Sequence, residues 1–217
     1  MKNIYIFSGL GADERVFQQL DFLDYKMTFI EWIEPYKKES IEHYAKRLIE
    51  QITSDKPVLI GLSFGGIMAI EVAKQIETEK MILISTAKTR NEIPFYYRLA
   101  GRLGLHKIIP AKLLKSSNFL TNWFFGINSA SDRKLLKQIL SETDSTFLKW
   151  AIDKIVHWKN HTLPENYIHI HGTSDRILPI KFITCDIKIN GGGHLMVLNR
   201  FEELNKVLKQ QFLSIFG

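Results

Sequence analysis

The sequence predicts an α/β protein built on a mostly parallel sheet. Short apolar, β-branched runs recur at residues 4–7, 27–33, 58–62, 81–85, 167–171 and 185–189, and helical periodicity separates most of them. Strands that alternate with helices build a parallel sheet covered on both faces. A break in that rhythm is the other observation. From Thr89 to His161 the pattern is helical throughout, with no strand-like run.

Taken in order, the first helix is expected over residues 40–54. Ser40 is a suitable N-cap there, with His43 three residues on, and Ile41, Tyr44, Ala45, Leu48, Ile49 and Ile52 are spaced to bury one face. Two more helices are expected over residues 64–78 and 201–216. Within the helical stretch the candidates are 94–103, 110–114, 132–140 and 145–158. Ten of the 25 aromatic residues of the chain lie in that stretch. The expected organisation is therefore a core formed by residues 1–88 and 161–217, with residues 89–160 inserted as a helical lid. There is no internal repeat and no low-complexity segment.

Composition limits the function classes. With 217 residues, 45% hydrophobic and 24% charged, the chain can bury one sizeable core. The amino-terminal apolar run is too short for a signal-peptide core, and the stretch 58–70, broken by three glycines and a serine, falls short of a membrane span. A cytoplasmic protein is expected. Cys185 is the single cysteine, which excludes an intramolecular disulfide and a Cys-rich metal site. The net charge of +6 is unevenly spread: from Lys88 to Asn160 there are 13 Lys/Arg and 5 Asp/Glu, or +8, against 16 and 18 elsewhere, or −2. The longest basic run in that segment is the pair Arg133-Lys134, too little for a nucleic-acid patch.

The residues that carry chemistry begin with Gly61-Leu62-Ser63-Phe64-Gly65, a G-x-S-x-G pattern between an expected strand and an expected helix. Such a turn pushes the central serine out to where a substrate can reach it. A serine hydroxyl is a poor nucleophile near neutral pH and needs a base, itself oriented by an acid group. Asp175 follows one expected strand in His171-Gly172-Thr173-Ser174-Asp175, and His194 follows another in Gly191-Gly192-Gly193-His194. The carboxyl ends of parallel strands share one edge of the sheet, so Ser63, Asp175 and His194 would meet there. The order Ser, Asp, His belongs to one hydrolase class and not to the trypsin-like or subtilisin-like ones.

On the elbow, the His-Gly-x-x-Asp-x-x-x-Pro segment at 171–179 and the Gly-Gly-His segment at 192–194, the chain resembles the α/β-hydrolase fold superfamily along nearly its whole length. The resemblance implies a trimmed sheet of about six parallel strands flanked by helices, with a helical lid. It implies Ser63 as nucleophile, His194 as general base and then acid, and Asp175 as the residue that orients and stabilises the imidazolium. It also implies an oxyanion hole of two backbone N–H groups, from Phe64 and Leu10. Ser8 departs from the histidine that many relatives carry there. Leu178 and Met196 flank the triad and, with Trp123 and Phe124 of the aromatic cluster, are expected to line the substrate pocket.

Plainer readings stay open at this stage. Ser63 can be an ordinary helix N-cap, Asp175 can cap a turn while Asp186 or Asp153 serves as the acid, and His194 can be a structural loop residue. His157 and His161 at i, i+4 read as a helix end, since no acidic third ligand accompanies them in sequence. The expected activity is cleavage of a small to medium carboxylic ester or thioester through an acyl-Ser63 intermediate, with no cofactor and a small-molecule acyl substrate as partner. A triad-dependent lyase or C–C hydrolase acting on an acidic metabolite is the alternative, favoured by the basic lid. A non-catalytic ligand-binding protein on the same fold is the other.

Overall fold

The computed structural model of the chain describes residues 3–23 and 25–216. Six parallel strands, β1 (Asn3–Phe7), β2 (Lys26–Phe29), β3 (Val58–Leu62), β4 (Lys80–Ile84), β5 (Tyr167–Gly172) and β6 (Ile187–Ile189), form one sheet in the order β2-β1-β3-β4-β5-β6. Helices α1 (Ile41–Leu48) and α2 (Phe64–Ala73) lie between β2 and β4 in sequence. From β4 to β5 run α3 (Phe95–Arg102), α4 (Leu105–Ile108), α5 (Ala111–Leu114), α6 (Phe119–Phe125), α7 (Ala130–Glu142) and α8 (Ser145–His157). The chain ends with α9 (Met196–Asn199) and α10 (Phe201–Phe216).

Strand alternation divides the core in two. Ile4 and Ile6, Val58 and Ile60, and Ile82 and Ile84 point to one face, where Leu204, Leu208 and Phe212 of α10 cover them. Tyr5 and Phe7, Leu59, and Met81 and Leu83 point to the other, beneath α1 and α2. The long helices between β4 and β5 belong to both cores. Leu136, Ile139 and Leu140 of α7 join the first, and Phe147 and Ala151 of α8 join the second. These two helices therefore straddle the carboxyl edge of the sheet.

Several boundaries differ from the sequence expectation for local reasons. β2 stops at Phe29, and the chain carries Trp32 away to donate from Nε1 to Ser8 Oγ at 3.1 Å and to stack on Phe147. This bond occupies the Ser8 position. β6 begins only at Ile187, because the Asp186 carboxylate takes the His169 N–H at 2.7 Å. Helix α7 starts two residues early, capped by Ser129, whose Oγ accepts from the Asp132 N–H at 3.0 Å. The short helices α4, α6 and α9 had no clear signal in the sequence, being too brief to show a repeat.

Helix α2 is buried along its whole length and apolar but for Glu71, whose carboxylate accepts from Lys74 Nζ at 2.9 Å and from Trp158 Nε1 at 2.8 Å. It can lie this close to the sheet because its first turn is Phe64-Gly65-Gly66. A Cβ on Gly65 would overlap the carbonyl oxygens of Phe7 and Ser8, and one on Gly66 would meet the Thr86 side chain at 2.6 Å. Gly65→Ala should thus destabilise the fold by more than about 3 kcal/mol, lowering Tm by roughly 6 °C or more. At Gly104, with φ +68° and nothing within 4 Å of an added Cβ, alanine should cost only the left-handed backbone penalty of about 1 kcal/mol. Thermal unfolding of the two variants checks the contrast, and equal Tm losses would contradict it.

Candidate active site

The turn from β3 into α2 places Ser63 at φ 54° and ψ −119°, a conformation that residues with a side chain rarely adopt. Main-chain bonds hold it there. The Ser63 N–H donates to Ile84 O at 2.9 Å, and Thr86 Oγ1 donates to Ser63 O at 2.6 Å. The local chain of causes runs from small residues at 61, 65 and 66, to close helix–sheet approach, to a half-buried serine that lines a cavity.

Two loops at the same edge of the sheet complete a hydrogen-bonded series. Ser63 Oγ lies 2.8 Å from His194 Nε2, and His194 Nδ1 lies 2.7 Å from Asp175 Oδ2. The carboxylate only accepts, so Nδ1 carries the proton and Nε2 is free to accept from the serine hydroxyl. Asp175 Oδ1 accepts the N–H groups of Ile177 at 2.9 Å and Leu178 at 2.8 Å. Asp175 is 4% exposed and His194 2%. Burial alone would raise the Asp175 pKa, but the charge and hydrogen bond of His194 and the Leu178 N–H hold it below the usual carboxylate value. The rival carboxylates are engaged elsewhere, Asp186 with His169 and Asp153 with His106.

The acid and histidine loops interlock through main chain. Ser174 N–H donates to Gly192 O at 2.9 Å, and Gly172 packs on Gly192 so closely that a Cβ on Gly172 would overlap Gly192 O. The end of α6 is drawn into the same assembly. Leu195 N–H donates to Phe125 O at 3.1 Å, Asn199 Nδ2 donates to Gly126 O at 2.8 Å, and the Phe125 ring stands 5.9 Å from the His194 ring. Phe125 is a contact to the histidine that the aromatic cluster hinted at without singling out.

Phe64 opens α2, where its N–H has no carbonyl a turn earlier to bond. The loop after β1 lies against the serine: a Cβ on Gly9 would stand 3.1 Å from Ser63 Cβ. Leu10 follows it. A carbonyl seated on Ser63 Oγ would therefore sit between a helix amino terminus and this loop.

Ser63 and His194 open into a cavity of about 510 Å³ whose lining is largely apolar. Of the four residues expected to line it, only Phe124 does so. Trp123 lies about a quarter-turn round α6, with the Arg176 guanidinium 4.4 Å from its ring centroid and donating to its carbonyl at 2.7 Å. Leu178 and Met196 are buried in the two cores. The walls come instead from Tyr97, Leu114, Leu148, Ile152, Ile155 and Ile177, among others. The signal for the α8 members was present: Leu148, Ile152 and Ile155 form a second apolar stripe beside the packed Phe147 and Ala151. A second cavity of about 460 Å³ lies across Leu10 and Gly11, lined by Trp32 and Phe147 and by carboxylates including Glu34 and Asp144, and reaches neither Ser63 nor His194.

The histidine pairing considered on sequence, His157 with His161, is replaced by another. His106 Nε2 lies 2.9 Å and His157 Nδ1 3.3 Å from Asp153 Oδ1, so an acidic partner does accompany His157. Asp153 bonds both histidines, His106 through its carboxylate and His157 through its main-chain oxygen as well, and so joins α4 to α8.

No protein-family model and no curated protein matches the sequence. Solved structures do. An esterase from Thermogutta terrifontis is 15% identical with a TM-score of 0.71, over 100% of this chain and 91% of that one. The N-acyl homoserine lactonase AidH, complexed with N-hexanoyl homoserine, is 16% identical with a TM-score of 0.71, over 100% and 90%. A bromoperoxidase from Bacillus anthracis is 17% identical with a TM-score of 0.67, over 98% and 92%.

Behind Asp175, strand β5 buries two imidazoles. His171 Nε2 donates to Leu178 O at 2.8 Å and lies 3.5 Å from Asp175 Oδ2, while His169 Nδ1 donates to Thr184 O at 3.1 Å. Burial pushes both pKa values down, that of His169 to about 3. The unfolded His169 takes up a proton below about 6.5, whereas the folded one stays neutral until about 3. Stability from this group is thus complete above pH 6.5 and falls between those values, by up to about 1.4 kcal/mol per pH unit. His169→Asn keeps a donor for Thr184 O and cannot titrate. Denaturant unfolding at a series of pH values should show a slope between pH 6.5 and 4.5 that is shallower in this variant, and unchanged slopes would refute the assignment.

Proposed function

We propose that the chain, which has the α/β-hydrolase fold, is a serine hydrolase that cleaves carboxylic esters or thioesters through an acyl-Ser63 intermediate. The observation that carries the reading is the hydrogen-bonded series Ser63–His194–Asp175 with Ser63 lining an apolar cavity. As Ser63 Oγ attacks the acyl carbonyl, its proton passes to His194 Nε2, and Asp175 stabilises the imidazolium. The charge formed on the carbonyl oxygen is met by the N–H groups of Leu10 and Phe64, the latter aided by the α2 dipole. Collapse breaks the bond to the alcohol or thiol, which leaves with the proton from His194. Water then attacks the acyl-enzyme by the same route, releasing the acid and restoring Ser63.

Residues 89–160 act as the cap, and their apolar side chains hold the acyl group. No Lys or Arg lines the cavity among the described residues, so an acidic metabolite would find no counter-charge there. This favours the ester reading over the lyase or C–C alternative. Esterases and a lactonase among the structures of similar fold are consistent with it.

Two measurements test the proposal. Ser63→Ala should fold and lose p-nitrophenyl ester turnover by about four orders of magnitude or more, together with labelling by a fluorophosphonate probe. Retained turnover would overturn the reading, and a wild-type chain inert to the probe would favour a non-catalytic binding protein. On acyl chain length, a cavity of about 510 Å³ is of the size that takes small ligands. From acetyl upward, kcat/KM should rise about fourfold per methylene until the chain outgrows the cavity. Ile152→Trp should move that limit to shorter acyl groups while acetyl turnover persists, and an unchanged chain-length profile would show that the acyl group lies elsewhere.

A further inference from the structure

We propose that the outer face of the cap docks on an anionic lipid surface. Among the described residues, fifteen large apolar side chains are exposed, and eleven of them fall between Phe95 and Phe124. Successive helices contribute: Leu99 from α3 with Leu103 at its C-cap, Ile108 from α4, Leu113 from α5, and Phe119 and Trp123 from α6, with Ile108 77% and Phe119 79% exposed. Burying apolar area is the main gain available to such side chains, and exposed surface of this kind marks an interaction site.

Charge identifies the occupant. From Ile93 to Ser131 there are five basic residues, Arg98, Arg102, Lys107, Lys112 and Lys115, and no Asp or Glu. None of the five forms an ion pair among the described residues. Arg102, Lys107 and Lys112 are exposed and directly precede the exposed Leu103, Ile108 and Leu113 in the chain. A second copy meeting this face symmetrically would set the same uncompensated positive charges against each other. A surface of anionic lipid headgroups complements them, with the apolar side chains reaching the acyl boundary. No described helix is long and apolar enough to cross a membrane, so the attachment lies in the plane of the surface.

The position of the face has a consequence for the site. Leu113, Leu120 and Phe124 are exposed and also line the cavity that holds Ser63. An apolar chain drawn from a lipid surface would thus pass to the cavity along carbon.

Sedimentation with vesicles tests the docking. The chain should pellet with vesicles of phosphatidylcholine mixed with phosphatidylglycerol and stay in solution with phosphatidylcholine alone. Pelleting should weaken with salt, as the Debye length shrinks from about 10 Å at 0.1 M to about 3 Å at 1 M. Lys107→Gln with Lys112→Gln should lower partitioning by roughly 25-fold, about fivefold for each charge removed. Ile108→Ser with Phe119→Ser should lower it by about tenfold or more, with Tm and p-nitrophenyl acetate turnover kept. Ser63→Ala should bind like the wild type, so the docking result is independent of the catalytic reading. The proposal is overturned if the mixed vesicles bring down no protein or the charge-neutralised chain pellets equally well. It is also overturned if sedimentation equilibrium shows a wild-type dimer that Ile108→Ser with Phe119→Ser dissolves, which would give the face to a second copy.

Discussion

Ser63 holds backbone angles of φ 54° and ψ −119°, which cost free energy for any residue with a Cβ, and the rest of the site is arranged around keeping them. The opposing term is packing. Gly61, Gly65 and Gly66 let α2 rest on β1 and β3 with no side chain between them, and the fully buried helix then has no room to relax. The bonds from Ser63 N–H to Ile84 O and from Thr86 Oγ1 to Ser63 O fasten the turn to the adjoining strand. A strained serine is therefore a property of the whole β1-β3-β4-α2 unit. The same approach brings the loop of Gly9 and Leu10 against the serine, so the strain and the closeness of that loop share one cause.

The second constraint is electrostatic. A carboxylate as buried as Asp175 would ordinarily be neutralised, because desolvation disfavours its charge. Here two N–H donors and the His194 ring supply what water would have, and the charge persists. His171 behind it stays neutral, with its Nε2 proton committed to Leu178 O. The acid loop thus presents one negative charge to one imidazole, and the histidine tautomer follows from that.

How much of this was legible in the sequence depends on the range of the interaction that decides each feature. The strands were readable because short apolar, β-branched runs such as 58–62, buried on both faces, are too brief for a helix and recur between helical stretches. The series Ser63, Asp175, His194 was readable because parallel strands bring their carboxyl ends to one edge whatever the loops do. The pocket was not. Whether Trp123 or Phe124 faces the cavity turns on about 100° of rotation of α6, which is seven residues long and set by its contacts at Phe125 and Gly126. Leu178 was misread because its main chain, not its side chain, serves the site: its N–H holds Asp175 and its carbonyl takes His171. The His106–Asp153 contact spans 47 residues and leaves no local trace.

The division between main chain and side chain extends to the cap. Where α6 ends, the contacts to the triad loops are made by Phe125 O and Gly126 O, and Gly126 packs on Gly193 with no space for a Cβ on either. Where the cap forms the cavity, the walls are side chains of α5, α6 and α8, and among the described rings of α6 it is Phe125 that packs on His194. Substitutions at residues 113–124 or on the Leu148, Ile152, Ile155 stripe can therefore reshape the cavity without moving His194. Changes at Gly126 or Gly193 would shift the histidine loop itself. On the proposed reading, the geometry that would set the chemistry and the surface that would select the acyl group are held by different atoms, so one can vary while the other is kept.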